Sequence, residues 1–255
     1  WFLVSLLIKP TMIIVLPLFI FLYVKKQGMK KSLISLAVCN VLFWILFLPF
    51  YKTPFDFVYT EQYRSAQGKG ELLLFPYITY YKGVLMAQSL PYVTNGAYNF
   101  WKLFPHLDGI KDTALLFGQP YRIWSYIIVG ALNVVIIKRI IQLKNADTIW
   151  MGFFLTGFAS VLFLTKMHER YTLLPLVFLL IASFKNPRLI KWFFALSAMS
   201  FLNHYHNWAV PKIDVIYNAL DHPAGYISLS LIHVLIFVVL LKQFLYRNRP
   251  PFTSK

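Results

Sequence analysis

Lys166, His168, Glu169 and Arg170 fall within five residues, with Tyr171 next in line. Two cations and an imidazole in so short a run can present several N–H donors to one anionic oxygen group. The arginine fork can bind such a group through two parallel hydrogen bonds. Glu169 fits the role of orienting Arg170 or His168 better than that of a base, and Tyr171 is grouped with it as a structural residue. Almost wholly apolar runs flank the group, at 150–165 and 173–184. Charges held against such runs are costly, so they ordinarily face a polar cavity or an interface. One plain reading makes Lys166 and Arg170 snorkelling anchors with Glu169 as a surface partner. His168 and Glu169 are unusual anchors, and their compact grouping favours a phosphate-binding turn formed by Lys166, His168 and Arg170.

Other candidates are weaker. Lys9, just before Pro10, is either a snorkelling lysine at a helix end or a second phosphate contact. The run His204-Tyr205-His206-Asn207-Trp208 invites a metal reading. However, side chains at i and i+2 point to opposite sides of a helix, and no third ligand follows at a familiar spacing. An interfacial loop is the better reading there. Asp214, Asp221 and His222 read as a solvated loop that can reach a substrate. No nucleophile elbow, phosphate loop, dinucleotide fingerprint or zinc-protease motif is present, so no cofactor is expected.

These groups must be positioned by helices in a bilayer. Of the 255 residues 58% are hydrophobic, 18% aromatic and only 13% charged, which no ordinary soluble domain sustains. The fold class expected is an all-α polytopic membrane protein. Spans are expected at 11–24, 32–50, 121–143, 148–165, 173–184, 191–208 and 226–246, about seven in all, each near the roughly 20 residues a bilayer core requires. Together they make one transmembrane domain over residues 1–246, with a long loop at 51–120 and a tail at 247–255. Within the loop, Asp56, Glu61, Arg64, Gln67 and Lys69 form a polar stretch. The aromatic stretch after it, broken by Pro76, Pro91 and Gly96, fits short helices in the interface rather than one span.

The 25 Lys and Arg residues outnumber the 9 Asp and Glu, for a net charge of +16. They cluster between apolar segments, which points to anionic headgroups and away from nucleic acid. One set of alternate loops is dense in cations, and the other holds nearly all the carboxylates. By the positive-inside rule the C-terminus is then cytoplasmic. Lys9, the 51–120 loop and the 166–171 turn share the extracytoplasmic face. Cys39 is the single cysteine, so no disulfide can form within the chain. A start at Trp1, inside an apolar run, reads as the C-terminal part of a longer protein.

Lys166-Met167-His168-Glu169-Arg170-Tyr171, followed by Leu173-Leu174-Pro175, resembles a motif of the bacterial membrane mannosyltransferases related to the second GPI mannosyltransferase, a group of GT-C glycosyltransferases. Its His-Glu-Arg core is similar to the His-Glu-Lys turn of endoplasmic-reticulum glucosyltransferases that use dolichyl-phosphate glucose. Leu7-Ile8-Lys9-Pro10 is similar to the group's Lys-Pro-Gln segment, with Thr11 where glutamine is common. Thr94-Asn95-Gly96-Ala97-Tyr98-Asn99-Phe100-Trp101 resembles its Asn-Ala-Phe-Asn-Leu-Trp stretch, with Gly96 as an extra residue.

The resemblance implies a GT-C-like fold and an inverting hexosyl transfer, from a polyprenyl-phosphate sugar to a glycan or lipid-linked acceptor outside the cytoplasm. It places the enzyme in a bacterial cytoplasmic membrane among membrane lipids. Asn95, Asn99 and Trp101 become candidate substrate-loop residues. The group's catalytic acidic residue lies upstream of Trp1, so no base is assigned to Asp56, Glu61 or any other residue, and the fragment alone is expected to be inactive. The alternative reading is a transporter or flippase of lipid-linked sugars, which would need polar groups along the spans.

Overall fold

A computed structural model describes residues 5, 10–50, 71–81, 90–143, 145 and 148–246. Lys9, Asp56, Glu61, Arg64, Gln67, Lys69 and the 247–255 tail therefore lie outside the described residues. Nine α-helices are found among those described: α1 Leu16–Gln27, α2 Met29–Phe47, α3 Glu71–Tyr80, α4 Tyr121–Leu143, α5 Thr148–Phe163, α6 Leu173–Lys185, α7 Ile190–Trp208, α8 Asp214–Asp221 and α9 Pro223–Tyr246. The chain divides into two compact units, one of residues 1–10 and 20–89, the other of residues 11–19 and 90–255.

In the first unit α2 is apolar on every side. Leu33, Ile34, Val41, Leu42 and Ile45 are all exposed, while Phe43 is buried. A helix without a polar face finds its solvent in lipid or in a protein core. Phe43 packs against Tyr77 and Tyr80 of α3, with ring centroids 5.3 and 5.7 Å away. The Tyr77 hydroxyl donates to Asn40 Oδ1 at 2.8 Å. Pro76 lies inside α3 rather than at its edge. At the sixth position it removes one backbone hydrogen bond, and α3 is only ten residues long.

The second unit is built around α5, whose residues from Met151 to Leu162 are buried except Phe153. Small residues let neighbours approach closely. A Cβ at Gly152 would lie 2.5 Å from Ile140 Cδ1 of α4, and one at Gly157 would lie 3.1 Å from Pro175 of α6. Residues 11–19 pack into the same core through Val15 and Leu18, both fully buried. Ser160 Oγ donates to the carbonyl of Ile14 at 3.1 Å. Phe158 and Phe163 meet Phe237 of α9 edge-on.

The helices stand where the apolar runs predict, and among the described residues the class is all-α apart from one small hairpin. There, β1 Leu115–Leu116 pairs with β2 Gln119–Pro120. Phe117 and Gly118, both at positive φ, form the two-residue turn favoured between antiparallel strands. The run from Asp214 to Asp221, read as a solvated loop, is instead the helix α8, and two boundaries shift. α9 begins at Pro223, because proline has no N–H to satisfy in a first turn. The 204–208 run, read as an interfacial loop, is instead the end of α7. Three helices, α2, α4 and α9, are long and apolar enough to cross a membrane.

Candidate functional site

The turn predicted to do chemistry joins α5 to α6. Lys166 opens it at φ 63°, a left-handed conformation uncommon outside glycine. His168 is extended, and Glu169–Thr172 wind into a single 3₁₀ turn that leads into α6. The turn is held from within by Thr172, whose hydroxyl donates to the Glu169 carbonyl at 2.7 Å.

α7 holds it from outside. Ser200, His204 and Trp208 follow one another at i, i+4 and i+8, so they form one stripe along the helix. The Ser200 and Thr172 hydroxyls are 2.6 Å apart. Trp208 Nε1 donates to Glu169 Oε1 at 3.2 Å. Glu169 is thus buried and engaged by an indole, not by either neighbouring cation.

The two cations differ. Lys166 Nζ lies 3.3 Å from Asp112 Oδ2, and Asp112 is 2% exposed. Its charge is therefore shared with a carboxylate that the sequence reading did not single out. Arg170 makes no ion pair or hydrogen bond among the described residues. Its guanidinium sits 5.8 Å from the ring centre of Tyr171. His168 meets the same ring edge-on, and its Nε2 is buried without a partner among the described residues. Burial, reinforced by the Arg170 charge and opposed by Glu169, holds the His168 pKa below the usual 6.5. The ring is then neutral near pH 7, with one N–H to donate and one lone pair to accept.

Asn95, Asn99 and Trp101 belong to the loop docked beside the turn. Asn95 Nδ2 donates to the Leu90 carbonyl at 2.9 Å. Asn99 Oδ1 accepts from the Lys102 amide at 3.1 Å and caps the short 3₁₀ turn Phe100–Leu103. Trp101 packs on Val93 and Leu107 and donates from Nε1 to the Phe163 carbonyl at 2.8 Å, closing the end of α5. Asn95 and Asn99 engage the loop's own structure, and Trp101 ties the loop to α5. The Asn99 Nδ2 group remains buried without a partner among the described residues.

The loop is tied down again at Asn203, which takes the Tyr98 amide at 3.0 Å and gives a hydrogen bond to the Gly96 carbonyl at 2.6 Å. His206, on the other side of α7 from His204, reaches the Tyr98 hydroxyl at 2.9 Å and Asp221 at 3.3 Å.

No family model, curated protein or solved structure matches the chain. Its site must be read from its own geometry. That geometry is a free guanidinium and a neutral imidazole on a rigid turn, with a lysine–aspartate pair behind them. Among the described residues no group of three or more His, Cys, Asp or Glu side chains is placed to hold a metal. Sequence reasoning missed Asp112 and Ser200, and weighed His204 and Trp208 only as part of an interfacial-loop run. The i, i+4, i+8 spacing of the last three was the only available signal, and such spacing is common in any helix.

Proposed function

We propose that the chain is part of a membrane glycosyltransferase of GT-C type, which moves a hexose from a polyprenyl-phosphate sugar to an extracytoplasmic acceptor. On this reading the seven apolar helices α1, α2, α4, α5, α6, α7 and α9 are the spans, and the C-terminus is cytoplasmic. The observation that carries the proposal is Arg170. It is a half-buried guanidinium with no carboxylate partner among the described residues, beside His168, on the turn between two apolar helices.

Such a group is suited to an anion that enters from a membrane. In the reaction, the bond from the sugar's C1 to the phosphate oxygen breaks, and its electron pair leaves with the phosphate. The acceptor oxygen bonds to C1 from the opposite face, and its proton passes to a base. The donor is a phosphodiester with one charge, and the departing polyprenyl phosphate gains a second. Arg170, with an N–H from His168, stabilises that developing charge where water is scarce. The apolar surfaces of the spans accommodate the polyprenyl tail, and the second GPI mannosyltransferase resemblance suggests mannose as the sugar.

The test is transfer from a labelled polyprenyl-phosphate hexose by the full-length protein in vesicles. Replacing Arg170 with Ala is expected to lower kcat by about 10²–10³, and H168A to lower it less. Unchanged rates in both variants would remove the phosphate site. Movement of the lipid-linked sugar across the bilayer without transfer would replace the enzyme with a flippase.

A further inference from the structure

We propose that His204 is a sugar-contacting residue of this site, whose Nε2 accepts a hydrogen bond from a hydroxyl of the donor hexose. The inference rests on the transferase reading and adds to it a residue that selects for the sugar rather than the phosphate.

His204 sits between the two contacts through which α7 holds the turn. Ser200, one helical turn before it, touches Thr172, and Trp208, one turn after it, touches Glu169. A helix presents i, i+4 and i+8 on one face, so His204 faces the turn as well. Its Nδ1 lies 2.8 Å from the Ser200 carbonyl. A carbonyl only accepts, so Nδ1 carries the hydrogen, and in the neutral tautomer the lone pair lies on Nε2. That atom is buried with no partner among the described residues.

Buried polar atoms in folded proteins are paired, and an orphan calls for an explanation. Here the missing partner must be a donor, since Nε2 can only accept. Arg170 supplies N–H groups for a phosphate. A phosphate oxygen has no hydrogen for His204, whereas a sugar hydroxyl does. The division of labour follows from chemistry: donors on the turn for the anion, a lone pair on α7 for the hydroxyl attached through it.

Two short-chain ligands of equal charge separate these roles: farnesyl methyl phosphate, and farnesyl phosphate carrying a hexose. Their binding to the full-length protein in detergent is measured by calorimetry. Wild type is expected to favour the hexose ligand. In H204N the amide can still donate to the Ser200 carbonyl, as Asn133 does to Val129 at 2.9 Å, but no atom reaches the place of Nε2. H204N is expected to bind farnesyl methyl phosphate as wild type does and to lose the sugar-dependent gain, about tenfold for one neutral hydrogen bond. H204Q, which returns a polar acceptor near Nε2, is expected to regain part of it. R170A is expected to weaken both ligands together.

A sugar-dependent gain that survives in H204N, or an H204Q no better than H204N, overturns the inference. Equal wild-type affinity for the two ligands also overturns it, while leaving the phosphate reading in place. A wild type that binds neither ligand removes the transferase reading itself.

Discussion

Lys166 and Asp112 show how a single pair decides the character of the turn. Asp112 is almost wholly enclosed, whereas the Lys166 side chain keeps 22% of its exposure. Removing the lysine leaves a buried carboxylate with no compensating charge. Removing the carboxylate leaves an ammonium that can still reach water. The two neutralising substitutions are therefore unequal. K166M is expected to cost about 3–5 kcal/mol, in the range for breaking a buried pair from one side. D112N is expected to cost about 1–2 kcal/mol. The double variant should recover much of the K166M loss, since no buried charge then remains. Denaturant unfolding in detergent of the three variants checks this order. Equal losses in the two single variants would mean that the pair is solvated and does not anchor the turn. The Asp112 Oδ1 atom, also buried and unpartnered among the described residues, adds to the penalty in K166M and is relieved in neither single variant.

At the scale of elements, the loop after Leu90 is fixed to α7 by side chains acting on backbone. Asn203, fully buried, satisfies both the Tyr98 amide and the Gly96 carbonyl. Asn207 adds a second hydrogen bond to the same carbonyl at 3.0 Å. Gly96 accepts this geometry because its φ is 77°, and a Cβ there would fall 2.4 Å from Asn207 Oδ1. The extra glycine in the aromatic stretch is thus a backbone requirement. G96A is expected to cost about 1–2 kcal/mol from the left-handed conformation alone, since the Asn207 amide can swing aside. N203L is expected to cost more, because the buried Tyr98 amide loses its partner at about 1–3 kcal/mol and the Gly96 carbonyl loses one of its two hydrogen bonds. Limited proteolysis checks both, with cleavage expected in the 90–120 loop before any in α4 or α5. Cleavage starting in those helices would show that the loop is not held separately. The loop was the least legible part of the sequence. Tyr98 read as part of an interfacial aromatic stretch and Asn99 and Trp101 as substrate-loop candidates, because nothing local reveals that Asn203 and the Phe163 carbonyl lie waiting for this stretch. The 166–171 turn was legible, since charges between two apolar runs stand out without any tertiary knowledge. Its partners on α7 were not, because their contacts arise only when the two elements pack.

At the scale of the molecule, lipid makes the helices easy to place and their partners hard to see. Apolar runs locate α2, α4 and α9 closely, but a helix apolar on all sides carries no periodic stripe to say which face meets protein. What the sequence does carry at this scale is the uneven distribution of cations. Arg188, exposed after α6, lies with the basic set, and Val210, 85% exposed after α7, lies with the set that includes the 166–171 turn. If the basic set faces the cytoplasm, the two sites are on opposite sides of the bilayer. Single cysteines at these positions, in a chain where Cys39 is replaced by Ser, separate the alternatives. A membrane-impermeant maleimide on intact cells is expected to label V210C and to label R188C only after permeabilisation. The opposite pattern would place Arg170 and His168 on the cytoplasmic side, where the proposed outward-facing donor could not reach them. Labelling of both from one side would show that α7 does not cross, and would reduce the number of spans on which the transferase reading is built.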